Sequence, residues 1–253
     1  MCIRDRLFVN PLPDIEEFDE TFLCEGESTI ISANIESGNP DDFEYLWAPD
    51  GQTTESIEIT ESGVYQVTVT NILTNCSKSK SIDVITSGPA TIINPVEIND
   101  NSNNNTVTIN VTGSGDYEYA IATNGSNILT YQDSPIFTNV PAGNHTVFVR
   151  DKNGCTPITT QEIFVIGFPK FFTPNEDSFH DTWNIIGISP ESPNGAIIYI
   201  FDRYGKLLKE LNPSLNGWDG TYLGEKMPSS EYWFRYIDSI SNREEVGHFS
   251  LIR

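Results

Sequence analysis

The segment Asn175–Asp181, with the sequence NEDSFHD, is the part of the chain whose residue types best suit metal chemistry. Its oxygen-bearing side chains stand near alternating positions, a pattern that suits Ca²⁺, which binds six to eight oxygens. The alternative is a turn in which Asp177 and Asp181 accept hydrogen bonds from backbone N–H groups. Short acidic motifs arise easily by chance. We therefore predict the turn, and no metal ligand.

Groups that could catalyse a reaction are scattered along the chain. His145, His180 and His248 lie in separate segments, and no motif of the type H-E-x-x-H or G-x-S-x-G is present. A carboxylate pair of the glycosidase type could be assembled only by the fold. The modules proposed below are small for an active-site cleft. We expect no enzyme activity, no catalytic residue and no cofactor.

The charge of the chain is strongly acidic and unevenly placed. The formal net charge is −22, and the stretch 14–77 holds fifteen acidic residues and no Lys or Arg. Binding to a phosphate backbone depends on Lys and Arg, so nucleic acid is excluded as a partner. A soluble, self-repelling surface is the simplest interpretation, ahead of cation binding or partner steering.

The elements that must position these residues are short strands. In a first module, 14–87, apolar and polar residues alternate in runs separated by turn residues, as in a β-sandwich of the immunoglobulin-like or PKD-like class. Trp47 is expected in the core, with a sugar-stacking surface as the alternative. Cys24 and Cys76 flank this module and are predicted to form a disulfide. The predicted strands are 28–33, 45–47, 56–60 and 64–70.

A second module of the same class is predicted at 88–167. Alternating runs at 106–111, 117–121 and 146–150 are each bounded by Gly, Asn or Pro. Cys155 has no evident partner within this module.

The last module, 168–253, is the densest in aromatic residues, glycines and aspartates. The run 197–201 is apolar on both faces, which predicts a central strand between two covering layers. Asp202–Lys206 supplies turn chemistry for a hairpin with Leu207 and Leu208. Two glycines surround Trp218 in NGWDG, which predicts a buried anchor at a corner.

These C-terminal motifs occur in the order FPKFFTPN, DTW, FDRYGKLL, GWDGTY, PSSEYWF and GHFSLIR. In that order they resemble the type B C-terminal sorting domain of the type IX secretion system, also called the gliding-motility-associated C-terminal domain. Family members typically carry PNGDGxND where this chain has Glu176, Ser178 and His180 in place of Gly, Gly and Asn. The residues that match the family's motifs are Phe171, Phe172, Pro174, Asn175, Asp181, Trp183, Phe201, Asp202, Arg203, Gly205, Gly217, Trp218, Asp219, Gly220, Tyr232, Trp233, Phe249 and Arg253.

The strand and turn patterns together predict three tandem β-sandwich modules. The resemblance implies a Bacteroidetes-type host and a final module that directs export and surface attachment. Its partners would be the type IX machinery and the outer-membrane protein that accompanies type B domains. Met1–Arg6 lacks the pattern of a secretory signal, so we expect a C-terminal fragment of a longer secreted or cell-surface protein. No apolar run is long enough for a transmembrane helix. The alternatives are an adhesin that binds glycans or proteins through the first two modules, and the tail of a polysaccharide-degrading enzyme.

Overall fold

The computed structural model describes residues 10–94, 96–99, 104–123, 129–188, 196–239 and 242–253. Across these residues the chain forms β-strands, and its one helical element is the 3₁₀ turn Pro40–Asp42. The predicted all-β fold of β-sandwich modules is confirmed. No described helix has the length and apolar character needed to span a bilayer. Met1–Arg6 and Cys2 lie outside the described residues.

The described residues group into two compact units. The described residues of the first unit lie within Met1–Thr91, Thr112–Tyr117 and Arg150–Thr159, and those of the second lie within Ile92–Val111, Glu118–Val149 and Thr160–Arg253. The division into modules 14–87, 88–167 and 168–253 stays a prediction.

The N-terminal strands form two sheets around one core, in the orders β1-β6-β5-β3 and β2-β4. Alternate residues of each strand point inward because successive side chains of a strand face opposite sides. Trp47 is 1% exposed and its indole N–H donates to the Thr54 carbonyl oxygen at 2.8 Å. The core prediction for Trp47 is confirmed, and a sugar-stacking role is wrong. The strands are β1 (Phe18–Cys24), β2 (Thr29–Ser32), β3 (Phe43–Ala48), β4 (Ser56–Ile59), β5 (Gly63–Asn71) and β6 (Ser77–Ser87).

The predicted Cys24–Cys76 disulfide is wrong: Cys24 is bonded to Cys155, with their Cα atoms 5.5 Å apart, and Cys76 is a free thiol. The pairing of β1 with β6 is the reason. The two strands are parallel, with Cys24 opposite Ser87, whereas Cys76 precedes the other end of β6. At about 3.3 Å per residue, the length of β6 separates Cys76 from Cys24 by more than about 30 Å.

The middle of the chain forms smaller sheets, in the orders β11-β13-β14, β12-β9-β8 and β10-β7. The predicted strand at 106–111 is divided between β9 and β10, while the runs at 117–121 and 146–150 lie within β11 and β13. Val107, Ile109, Val147 and Val149 are fully buried. The strands are β7 (Thr91–Ile92), β8 (Glu97–Asn99), β9 (Thr106–Thr108), β10 (Val111–Thr112), β11 (Tyr117–Thr123), β12 (Ile136–Thr138), β13 (Gly143–Asp151) and β14 (Thr159–Val165).

The C-terminal residues form a five-stranded sheet in the order β15-β21-β20-β16-β17, with a small β18-β19 hairpin. The last strand, β21, is interior: it pairs antiparallel with β20 and parallel with β15. The predicted hairpin after 197–201 is present as β16 and β17. The strands are β15 (Phe171–Phe172), β16 (Ala196–Phe201), β17 (Leu207–Leu211), β18 (Thr221–Tyr222), β19 (Glu225–Lys226), β20 (Ser230–Asp238) and β21 (Arg243–Leu251).

The prediction for β16 is only half right. It is a central strand, and Ile198 and Ile200 are fully buried on its inner face. Its outer residues Ile197, Tyr199 and Phe201 are half-buried. The inner face packs on the module's core, whereas the outer face is not fully covered.

Candidate functional site

Segments that are far apart in the C-terminal sequence meet around one cleft of about 410 Å³. Four of its lining residues, Pro174, Asp181, Asp219 and Arg253, were matched to family motifs from the sequence. The other four were not. The lining residues are Pro174, Glu176, Asp181, Thr182, Asp219, Thr221, Lys226 and Arg253.

One wall of the cleft is a loop folded around the carboxylate of Asp181. The Asp181 Oδ1 atom accepts the N–H groups of Asn175 and Glu176 at 3.0 and 2.7 Å, and Oδ2 accepts that of Ser178 at 2.7 Å. Asp177 Oδ1 accepts the N–H of Phe179 at 2.8 Å. The predicted turn, in which both aspartates accept backbone N–H groups, is confirmed. Both oxygens of Asp181 are therefore engaged within the loop.

The same loop holds three residues in the left-handed backbone region. Glu176, Ser178 and His180 have φ values of 66°, 73° and 54°. A side chain with a Cβ resists this region, which glycine enters freely and asparagine tolerates better than most residues. This backbone geometry explains why the family's motif has Gly, Gly and Asn at these three positions. This chain adopts these angles with residues that carry a Cβ, at a higher conformational cost than glycine would have.

The opposite wall is held by the last residue, Arg253. Its guanidinium donates Nη2–H to the Gly220 carbonyl oxygen and Nε–H to the Met227 carbonyl oxygen, both at 3.1 Å. Its backbone N–H donates to Ser229 Oγ at 3.0 Å. Arg253 thus joins the GWDG turn to the segment that precedes β20. The sequence did not predict Met227 or Ser229 as partners of Arg253, because no residue pattern marks a particular carbonyl oxygen or serine hydroxyl as an arginine partner.

Two buried tryptophans directly neighbour the cleft residues Thr182 and Asp219 in the chain. Trp183 and Trp218 are 0% and 1% exposed, as predicted for a buried anchor at Trp218. Their indole N–H groups donate to the carbonyl oxygens of Pro169 and Thr221, each at 2.8 Å. Each ring is therefore buried without an unsatisfied donor.

The remaining inward motif residues pack around these rings. Trp183 stacks on Phe249 with centroids 4.0 Å apart, and Trp218 meets the edge of Tyr232 at 5.0 Å. The ring of Phe172 packs near that of Trp218, with a centroid-to-centroid distance of 5.6 Å. The hydroxyl of Tyr232 donates to the Pro228 carbonyl oxygen at 2.8 Å, and burial raises the pKa of this phenol. These aromatic side chains fix the cleft's walls to the sheet.

The FDRYG motif forms the hairpin turn between β16 and β17. Asp202 Oδ1 accepts the N–H groups of Tyr204 and Lys206, both at 2.9 Å. Gly205 has a φ of 80°. Arg203 donates to Ser230 Oγ at 2.6 Å, across to the start of β20. This motif is structural and lies outside the cleft.

Three motif residues point away from the core. Phe171 and Trp233 are 46% and 41% exposed, and Phe201 is half-buried on the outer side of β16. Trp233 is directly opposite Phe201 on one side and His248 on the other. We call this surface the outer aromatic face and define it by Tyr199, Phe201, Leu207, Trp233, Ile237 and Val246.

Hydrogen bonds lower the pKa of three exposed carboxyl groups, and the third is Glu244, whose partner is the Arg235 guanidinium. The Phe179 N–H and the Asn175 side-chain amide lower the pKa of Asp177 in the loop. The Ser250 hydroxyl and the His248 ring lower the pKa of Glu231 on the outer side of β20. In each case the ionised carboxylate is the stronger acceptor, so the charged form is favoured.

Among the described residues, no group of three or more His, Cys, Asp and Glu side chains is placed to hold a metal ion. The three histidines lie apart. His145 is buried in β13, with Nε2 2.7 Å from the Pro141 carbonyl oxygen, His180 is in the loop, and His248 is exposed on β21.

Residues 166–251 match the model of the CHU_C type IX secretion signal domain family. The resemblance of the C-terminal motifs to that class of sorting domain is confirmed. A domain of this class marks a protein for export to the cell surface or the extracellular space and implies contact with the secretion machinery. No curated protein sequence matches the chain.

Solved structures of several multidomain fragments show a weak structural similarity to this chain. The titin I-band fragment I67–I69 has a TM-score of 0.37 at 11% identity, covering 94% of this chain and 96% of that one. Drosophila N-cadherin EC1-3 has a TM-score of 0.34 at 12% identity, covering 93% and 97%. Drosophila OTK extracellular domains 3–5 have a TM-score of 0.27 at 13% identity, covering 95% and 97%. These scores lie below 0.5, so no functional statement follows from them.

Proposed function

We propose that 168–253 is the export and surface-attachment signal of a cell-surface protein of a Bacteroidetes-type bacterium, and that the upstream modules form a stalk. The observation that carries the proposal is the family match at 166–251. The proposed partners are the type IX machinery and the outer-membrane protein that accompanies type B domains. The proposed signal is the folded module, since its motif residues are brought together by packing and hydrogen bonds rather than by sequence.

The interior position of β21 supports a folded signal. Removing residues 247–253 would take Phe249 and Leu251, 0% and 1% exposed, out of the core. It would also leave β15 and the first half of β20 without their common neighbour. Unpaired strand edges and lost apolar burial both destabilise a sheet.

The test is a fluorescent reporter, targeted to the periplasm and fused to the N-terminus of the chain, in a host that carries the type IX system. We expect the intact fusion outside the cell, the fusion lacking 247–253 inside, and Lys78→Ala in the upstream part without effect. A further fusion carrying 168–253 alone tests whether the upstream part is needed. If the intact fusion stays in the periplasm while an established type B domain exports the same reporter, the proposal is wrong.

A second candidate function is adhesion through the first module, favoured by one exposed apolar surface. Phe18, Val64, Phe22 and Ile85 are 61%, 67%, 38% and 38% exposed. They lie on the outer side of three adjacent strands, with Phe22 directly opposite Ile85. Phe22→Lys should abolish binding to a host glycan or protein array if this surface binds, with no effect on export.

The proposal gives this chain no catalytic role. Turnover of a glycan, ester or peptide by the purified chain, abolished by one Asp or Glu substitution, would contradict it.

A further inference from the structure

The outer aromatic face is an apolar surface that the core does not explain. Its Trp233, Leu207 and Val246 are 41%, 45% and 71% exposed. Inward residues of the same strands, such as Phe234 and Phe249, already fill the core. Large apolar side chains exposed together on one patch mark a surface that another molecule covers.

The arrangement of the face is set by strand register. One row across four strands consists of Leu207, Phe201, Trp233 and His248, and the next consists of Glu210, Tyr199, Arg235 and Val246. Paired strands lie about 4.8 Å apart, so the four strands make a patch about 15 Å wide. Aromatic residues at its centre with charged residues around them resemble the composition of protein interfaces.

Four titratable side chains around the face are engaged with one another. Arg235 Nε donates to Glu244 Oε1 at 2.7 Å, and His248 Nδ1 lies 2.8 Å from Glu231 Oε2. Glu231 also accepts the hydroxyl of Ser250. A sugar would have to displace these contacts to hydrogen-bond to the four side chains, which disfavours a glycan as the ligand. An anionic lipid surface is disfavoured by the chain's net charge of −22.

The size of the face favours a transient contact over a stable dimer. From Glu231 to Ile237, β20 runs about 20 Å, so the patch measures about 15 Å by 20 Å. Stable interfaces bury about 800 Å² on each partner, whereas transient ones bury less. A signal that must be bound and then released needs a contact of the smaller kind.

We propose that the outer aromatic face is the surface through which the sorting domain docks on an outer-membrane protein of the export machinery, by apolar contacts centred on Trp233. This inference rests on the proposed function and names the docking surface. The bound outer-membrane protein presents aliphatic and aromatic side chains to the two rows of the face that contain Phe201 and Tyr199. The cleft at Arg253 is separate from this face, and the hydrogen bonds of Arg253 there stabilise the folded module.

The test uses the full chain fused to the periplasmic reporter. Val246→Lys places a charge on the face, and Leu215→Lys makes the same change in the loop after β17; the native side chains are 71% and 69% exposed, so the two are matched. We expect Val246→Lys and Trp233→Thr to lower export more than tenfold. Val246→Ile keeps an apolar side chain and should retain export, and Leu215→Lys should leave it unchanged. Melting temperatures of the purified variants should stay within a few degrees of the native chain.

Photo-crosslinking identifies the occupant. A photoreactive residue at position 246 should crosslink, in living cells, to an outer-membrane protein whose deletion blocks export of the native fusion; the same residue at position 215 should not. Export of both folded face variants at the native level would overturn the inference while leaving the proposed function intact. If the native fusion itself is not exported, the proposed function is contradicted, and not only the docking surface. Loss of polysaccharide or liposome binding in the variants, with export unchanged, would assign the face to another ligand and overturn the inference.

Discussion

Trp183 and Trp218 exchange two backbone hydrogen bonds: the Trp183 N–H donates to the Trp218 carbonyl oxygen at 2.9 Å, and the Trp218 N–H returns the bond at 2.8 Å. This isolated bridge joins the DTW and GWDG motifs, which are separated by β16 and β17 in the sequence. The close approach of the two backbones requires a residue without a side chain at Gly217. A Cβ at that position would lie 2.4 Å from the Trp183 carbonyl oxygen.

Gly217→Ala is therefore expected to destabilise the C-terminal module by about 1–3 kcal/mol, the usual cost of overpacking a tight site. Chemical denaturation followed by tryptophan fluorescence measures the change in the free energy of unfolding. Gly224→Ala is the control: Gly224 has a φ of 87°, but a Cβ added there would meet no atom within 4 Å. It should cost only about 1–2 kcal/mol, from the left-handed backbone alone. A smaller loss for Gly217→Ala than for the control would contradict the steric argument.

Glu176→Gly and Ser178→Gly are expected to stabilise the module, because the native residues have φ values of 66° and 73°. Relief of a left-handed residue is worth about 1 kcal/mol, which for a domain of this size raises the melting temperature by about 4–8 °C. Calorimetry measures the shift. Glu176→Ala and Ser178→Ala keep a Cβ and should give no such gain. An equal gain in the alanine variants would mean that the native side chains, and not the backbone, carry the cost.

Much of this architecture could be predicted from the sequence, and particular residues show where prediction ended. Period-two alternation located β3 around Trp47, since one face of that strand is buried. The short apolar run 197–201 located β16, although only its Ile198 and Ile200 face is fully buried. The Asp177 and Asp181 turn followed from short-range hydrogen bonding. The disulfide partner of Cys24 could not be predicted from the sequence, because it depends on the parallel pairing of β1 with β6. The contacts of Arg253 are with carbonyl oxygens, which every residue carries.

The disulfide between Cys24 and Cys155 is expected to be a major source of stability in the first compact unit. It closes a loop with a sequence separation of 131. The chain-entropy model gives about 5 kcal/mol for a loop of this length. The double variant Cys24→Ser, Cys155→Ser should therefore unfold at much lower denaturant concentration than the native chain. Cys76→Ser removes the free thiol and should change little.

Peptide mapping without reduction provides an independent check of the pairing. It should recover a crosslinked peptide that contains Cys24 and Cys155. A crosslinked peptide containing Cys76 would show that the pairing is different.

Acid should weaken the C-terminal module through Asp177 and Glu231. Both folded-state pKa values are lowered from the ordinary values of 3.8 and 4.5, so both groups bind protons less readily when folded than when unfolded. Their contribution to stability is present above the ordinary carboxyl pKa and is lost as pH falls through the lower folded-state pKa. Melting temperatures measured from pH 6 downward should fall less steeply in Asp177→Asn and Glu231→Gln. Unchanged slopes in both variants would contradict the assignment.

Arg253 is expected to stabilise the module through its geometry as well as its charge. Its Nε and Nη2 groups reach two carbonyl oxygens at once, those of Met227 and Gly220. Hydrogen bonds from a charged group contribute about 1.5–3 kcal/mol when well formed, and exposure at the cleft reduces this. We expect Arg253→Ala to cost about 1–2 kcal/mol of unfolding free energy. Arg253→Lys should recover only part of it, since an ammonium group lacks the planar fork that satisfies both oxygens.

The matched control for Arg253 is Lys226→Ala, which removes the other basic residue lining the same cleft. A surface substitution of this kind usually changes stability by less than about 0.5 kcal/mol. If Lys226→Ala and Arg253→Ala lower the free energy of unfolding by the same amount, Arg253 acts through the net charge of the cleft. If Arg253→Lys matches the native chain, the two-oxygen bridge contributes nothing. A loss confined to Arg253→Ala, partly recovered by lysine, would establish that the last residue holds the GWDG turn against the segment before β20.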